Sequence, residues 1–94
     1  MPTGDEITHS LADVITAISN RYATRSADYR LRHAMTDDLR AALAPRIDEF
    51  GASVMFDALQ RIRVSMQQHH PRHLLTSVII DEARLLKSRI RGLN

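Results

Sequence analysis

The feature that most limits what this chain can become is its C-terminal run, residues 74–93, LLTSVIIDEARLLKSRIRGL. Leu75, Ile79, Ala83, Leu86, Ile90 and Leu93 recur there at spacings of four, four, three, four and three. At 3.6 residues per turn these positions share one narrow helix face, and that face must be buried. A second strip, Leu74, Val78 and Leu85, lies beside it. The combined apolar surface is too wide for one partner helix, so at least two other elements are predicted to pack against it. Arg84, Lys87 and Arg91 return at i, i+3 and i+7 on a different face, as a basic stripe beside the outward side of Ile80. Cations in the last turns of a helix complement the negative end of its dipole, which is the plainer explanation. The functional explanation is a docking stripe for phosphate or for an acidic protein surface.

Three further helical patterns precede this one. Thr3-Gly4-Asp5-Glu6 reads as a capping box that opens a first helix, with Ile7, Leu11, Val14, Ile18 and Tyr22 on its buried stripe, Ile15 widening it, and an end near Thr24. His9 falls on its polar side. Ser26 is read as the N-cap of a second helix, along which Leu31, Met35, Leu39, Ala42 and Leu43 form the stripe. The apolar spacing favours one helix over residues 27–43 rather than a new start at Thr36. Pro45 cannot donate to the preceding turn and disfavours a helical Ala44, so the helix is expected to stop there. A short helical piece over residues 45–50 would follow, ended by Gly51. A third helix starts near Ser53, with Met55, Ala58, Leu59, Ile62 and Met66 inward. Ile47 and Phe50 are expected to fold back against its start. Phe56 projects to a neighbouring face with Arg63 seven residues on, where solvent access would mark an interface. Pro71 breaks this helix and is placed to open the last one.

Ninety-four residues fit a single domain, here residues 1–94, that hides only about 60–65 per cent of the surface of the unfolded chain. With no cysteine there is no disulfide and no thiolate metal site, so self-association is the expected source of additional stability. No stretch approaches the roughly 20 apolar residues that span a bilayer, and the first ten residues lack a basic leader followed by an apolar run; the chain is read as cytoplasmic, without a membrane partner. Charge is unevenly placed. Residues 1–50 hold six Arg against eight acids, whereas residues 51–94 hold seven Lys and Arg against three. A net charge of +2 is small for a nucleic-acid binder.

Little here carries catalytic chemistry. His69, His70 and His73 form the one cluster resembling a ligand set, but Pro71 interrupts the i, i+4 pair and no Cys or nearby carboxylate completes a tetrahedral site. Asp5-Glu6, Asp37-Asp38, Asp48-Glu49 and Asp81-Glu82 are adjacent residues that diverge by about 100° on a helix, so they are not converging acid/base pairs, and three of the four suit helix starts or solvated faces better. No phosphate-binding Gly-rich loop, nucleophile elbow or HExxH motif occurs. Neither catalytic residues, cofactor nor metal is expected. A helix-turn-helix centred on Gly51 fits poorly: Ile47 occupies the position where a small residue is needed, and the second helix would open with Ser53, Val54, Met55, Phe56 and Asp57, which offer nothing to base edges. Residues 43–62 resemble a helix, acidic turn, Gly and helix arrangement found in short bacterial and phage proteins, a resemblance that implies no activity.

These readings converge on an all-α bundle of about four helices with Leu11, Val14, Ile18, Leu39, Leu43, Leu59, Ile62, Ile79, Leu86 and Ile90 in its core. The expected function is a non-enzymatic protein-binding regulator or adaptor, from a mobile element or phage, that acts as a homodimer. Its expected contact residues are Arg84, Lys87, Arg91, Ile80, Phe56 and Arg63. The alternative is a nucleic-acid-binding helical domain that contacts phosphates through Arg84, Lys87, Arg89 and Arg91, joined by Arg61, Arg63 and Arg72.

Overall fold

The four periodic stretches fold as four helices in a computed structural model that describes residues 1–92: α1 (Gly4–Arg21), α2 (Tyr29–Phe50), α3 (Ala52–His69) and α4 (Leu74–Gly92). Among the described residues there is no strand, and the architecture is the all-α bundle that the stripes predict. Leu93, the last member of the C-terminal stripe, lies outside the described residues. No described helix is long and apolar enough to cross a membrane.

Local chemistry sets most of the helix ends. Thr3 caps α1 by accepting the Glu6 amide, and its hydroxyl donates to the Glu6 carboxylate at 3.3 Å. The helix ends at Arg21, short of Thr24, and a cluster of polar contacts ties its end to α2. Both the Arg21 guanidinium and the Tyr22 hydroxyl donate to Asp38 at 2.8 Å, while Arg25 lies over the Tyr22 ring. Asp28, not Ser26, is the N-cap of α2; its carboxylate accepts the Leu31 amide at 2.8 Å. An ionised acceptor answers the positive helix end better than a hydroxyl.

α2 is one helix of 22 residues, and the expected break at Pro45 does not occur. Leu43 is buried and Ile47 packs against the core, so a break between them would withdraw one of the two from apolar contact. The Pro45 ring sits on the exposed side of the helix, and so does Ala41, whose carbonyl would otherwise take the missing amide. One residue on, the Arg46 guanidinium donates to the Ala42 carbonyl at 2.9 Å. Asp48 and Glu49 are therefore helical, and the acidic turn inferred for residues 43–62 is absent. Gly51 alone joins α2 to α3. Its φ of 91° lies in a region that L side chains rarely adopt, and its amide and carbonyl serve both helices, donating to Ile47 and accepting from Met55.

Pro71 does not open α4. Pro71 and Arg72 form a turn closed by the His73 amide on the His70 carbonyl, and α4 starts at Leu74. His73 provides the cap instead: its Nδ1 accepts the Leu75 amide at 3.1 Å. The buried Thr76 hydroxyl donates to the His70 carbonyl at 2.7 Å and holds the turn against the helix.

α3 packs against each of the other helices, most extensively α4 and then α1, whereas α1 and α4 barely meet. The most deeply buried large side chains come from all four helices: Leu11 from α1, Leu39 from α2, Met55 and Leu59 from α3, and Leu75 and Ile79 from α4. Eight of the ten expected core residues are buried. Val14 and Ile90 are half-buried at its edge, because the centre of the α1 stripe runs through Ile15 rather than Val14. Leu85 departs from expectation more clearly, with 53% of its surface exposed although its strip neighbour Val78 is buried. Most of the apolar surface of the four stripes is thus covered within one chain.

Two stability measurements check this packing. Leu59→Ala should lower the free energy of unfolding in urea by about 2–5 kcal/mol, the cost of a cavity among helices that cannot fully collapse. Pro45→Ala restores an amide to a helix interior and should raise it by about 1–3 kcal/mol.

Candidate functional site: a basic groove between α3 and α4

On α3 the residues Phe56, Gln60, Arg63 and Gln67 follow one another at spacings of four, three and four. On α4 the residues Ile80, Arg84, Lys87 and Arg91 repeat the same spacings. Each set is one stripe along its helix, and the four-residue link at 70–73 folds the helices side by side so that the stripes face each other across a trough. The trough encloses about 290 Å³. Its lining is Phe56, Gln60, Arg63 and Gln67 from α3 and Ile80, Ala83, Arg84 and Lys87 from α4. Five of the six residues expected to contact a partner are therefore brought together. Arg91, one turn beyond Lys87 on the same stripe, is exposed but does not line the trough.

The groove has a half-buried apolar floor and a basic rim. Phe56 and Ile80 are half-buried, and Ala83 is buried against the core. Arg63 is held in place by two amides of its own helix, its Nε donating to Gln60 at 2.9 Å and its Nη1 to Gln67. Those glutamines were not recognised from the sequence as part of the site; their spacing from Phe56 and Arg63 was the available signal. Arg84 and Lys87 are exposed and make no ion pair with a described residue, and no carboxylate lines the groove.

Four of the other cations are matched to carboxylates. Arg21 pairs with Asp38, Arg32 with Asp81, Arg40 with Glu82 and Arg61 with Asp5. Arg32 also donates to Ser77 at 2.7 Å, so two polar contacts join α2 to α4 at this level. The Arg40 pair has the most enclosed carboxylate. Its Nε lies 3.0 and 3.1 Å from the two oxygens of Glu82, whose side chain is only 8% exposed. The hydrogen bond to Glu82, and then the charge of that carboxylate, raise the pKa of Arg40 above its ordinary value. Glu82 is a buried acid. Its position within the run Leu75, Val78, Ile79, Leu86 on the apolar side of α4 was the signal that it needed a buried partner.

A second groove, of about 300 Å³, lies between α2 and α4, with Leu43, Ala44, Ile47, Leu85 and Leu86 as its apolar walls. Arg40, Glu82 and Arg89 complete it, so Arg89 belongs to this side of α4 and not to the basic stripe. The histidine cluster is engaged with the backbone: the Nδ1 of His69 meets the Ser65 carbonyl at 3.0 Å, and that of His73 caps α4.

The chain matches no protein-family model, no curated protein and no solved structure.

The Arg40 and Glu82 pairing generates a specific expectation. Arg40→Met leaves a buried carboxylate without its donor and should cost about 1 kcal/mol of stability, near the low end for a stranded acceptor because water reaches the Arg40 side. Adding Glu82→Leu should recover most of that loss in the same urea titration, since an apolar pair replaces a charged one.

Proposed function

We propose that this chain is a small non-enzymatic protein-binding module, a regulator or adaptor, that docks its partner in the groove between α3 and α4. The observation that carries this reading is the pairing of an apolar floor, Phe56, Ile80 and Ala83, with the unmatched cations Arg84 and Lys87 and the pre-positioned Arg63. Apolar contact supplies affinity in such a site, and the charges select the partner and its register.

The phosphate-binding alternative draws less support from the same geometry. Its cations do not share a surface: Arg61 is paired with Asp5 on α1, Arg89 lines the groove beside α2, and Arg72 lies in the turn before α4. Three cations over one short trough would give a weak and strongly salt-dependent contact with a duplex. A homodimer, the other partner expected from the sequence, has its remaining support in the exposed Leu85 at the edge of the α2 and α4 groove.

The double variant Arg84→Glu with Lys87→Glu reverses the sign of the rim without touching a buried residue, so its thermal unfolding should match that of the wild type. Proteins retained by the immobilised wild-type chain from an extract of its native host should be lost with this variant. Labelled duplex DNA and transfer RNA should bind both forms poorly at physiological salt. Duplex binding that falls steeply with salt and vanishes in the variant would instead assign the groove to phosphates.

A further inference from the structure

We propose that the occupant of this groove is an amphipathic helix of another protein, with acidic side chains along the border of its apolar face. The inference rests on the reading of the groove as a protein interface and specifies the partner that fits it. Shape supports a helix. The trough runs between two neighbouring helices, and the α3 stripe from Phe56 to Gln67 extends about 16 Å, or three turns, at 1.5 Å per residue. A third helix seats its own side-chain ridge in such a trough, as helices pack on helices elsewhere. An extended peptide gains less here. It brings unpaired backbone amides and carbonyls, and the walls of the groove are helix interiors whose backbone groups are already bonded within each helix.

Charge specifies the border. Arg63, Arg84 and Lys87 all line the groove, none of them meets a carboxylate among the described residues, and no carboxylate lines the groove with them. Lys87 follows Arg84 by three residues, a like-charge neighbour that is mildly unfavourable in a helix. A facing carboxylate relieves it. Arg63 is already oriented by its two glutamines, so less side-chain entropy is lost when an acid binds it. A bare phosphate would satisfy the cations but give Phe56 and Ile80 nothing to pack against. A helix with Leu, Ile or Met on one face and Asp or Glu at its edges answers both.

A selection experiment tests this. A displayed library of random peptides long enough for about four helical turns is selected on the immobilised full-length wild type, with depletion on the folded Arg84→Glu, Lys87→Glu variant. The expected result is enrichment of sequences with apolar residues at i, i+3, i+4 and i+7 flanked by Asp and Glu. By fluorescence anisotropy their binding should weaken by about tenfold or more, both in the double variant and when Pro is placed at the centre of the peptide. Enriched peptides that need the groove but are basic, or tolerate the central Pro, would overturn the helix proposal and leave the protein-interface reading standing. Enrichment of nothing that distinguishes wild type from variant would overturn both.

Discussion

The bundle depends on α3 being buried against three neighbours at once. Met55 and Leu59 are fully enclosed, Ala58 and Ile62 nearly so, and each of the other helices reaches this helix. A helix enclosed in this way has little freedom to rotate, because turning it by one residue would move apolar side chains out of contact on more than one side. The orientation of its remaining flank follows. Phe56, Gln60, Arg63 and Gln67 are left beside α4, at the edge of the contact between the two helices. The candidate site is thus a by-product of core packing that the surface residues have made basic.

Part of the surface charge is consumed inside the chain. Arg21, Arg32 and Arg40 are matched by Asp38, Asp81 and Glu82, and the buried Glu82 takes two contacts from the Arg40 Nε. Exposed pairs of this kind contribute little to stability, and the more enclosed Glu82 pair chiefly avoids the penalty of a stranded charge. The α3 and α4 groove is lined by cations and amides without acids. An acidic partner of the kind proposed would complement that lining.

Several backbone features show packing overruling local preference. Pro45 sits inside a continuous helix because Leu43 and Ile47 on either side of it are held by the core, and the lost hydrogen bond falls where water reaches the Ala41 carbonyl. Gly51 turns the chain with one residue because its positive φ is open to glycine at little cost. His73, which sequence spacing suggests as part of a ligand set, is engaged as a cap, a role its ring nitrogen fills in place of the usual Ser, Thr, Asp or Asn.

The helical class, the approximate limits of α1, α3 and α4 and the buried side of every helix were determined by the sequence alone, since the 3.6-residue repeat is a local property of the chain and Leu11, Leu39, Leu59 and Ile79 declare it without reference to one another; the continuation of α2 through Pro45 was not. The Arg84, Lys87 and Arg91 stripe and the outward position of Phe56 were legible for the same reason. What only the tertiary structure decided is how these faces meet: that Gln60 and Gln67 steady Arg63 opposite Ile80 and Arg84, that Glu82 finds Arg40, and that Leu85 is left uncovered while Val78 is not. Periodicity specifies the direction of a side chain from its own helix axis. The rotation and offset between two axes come from side-chain shapes packing across a shared core, and no single helix carries that information.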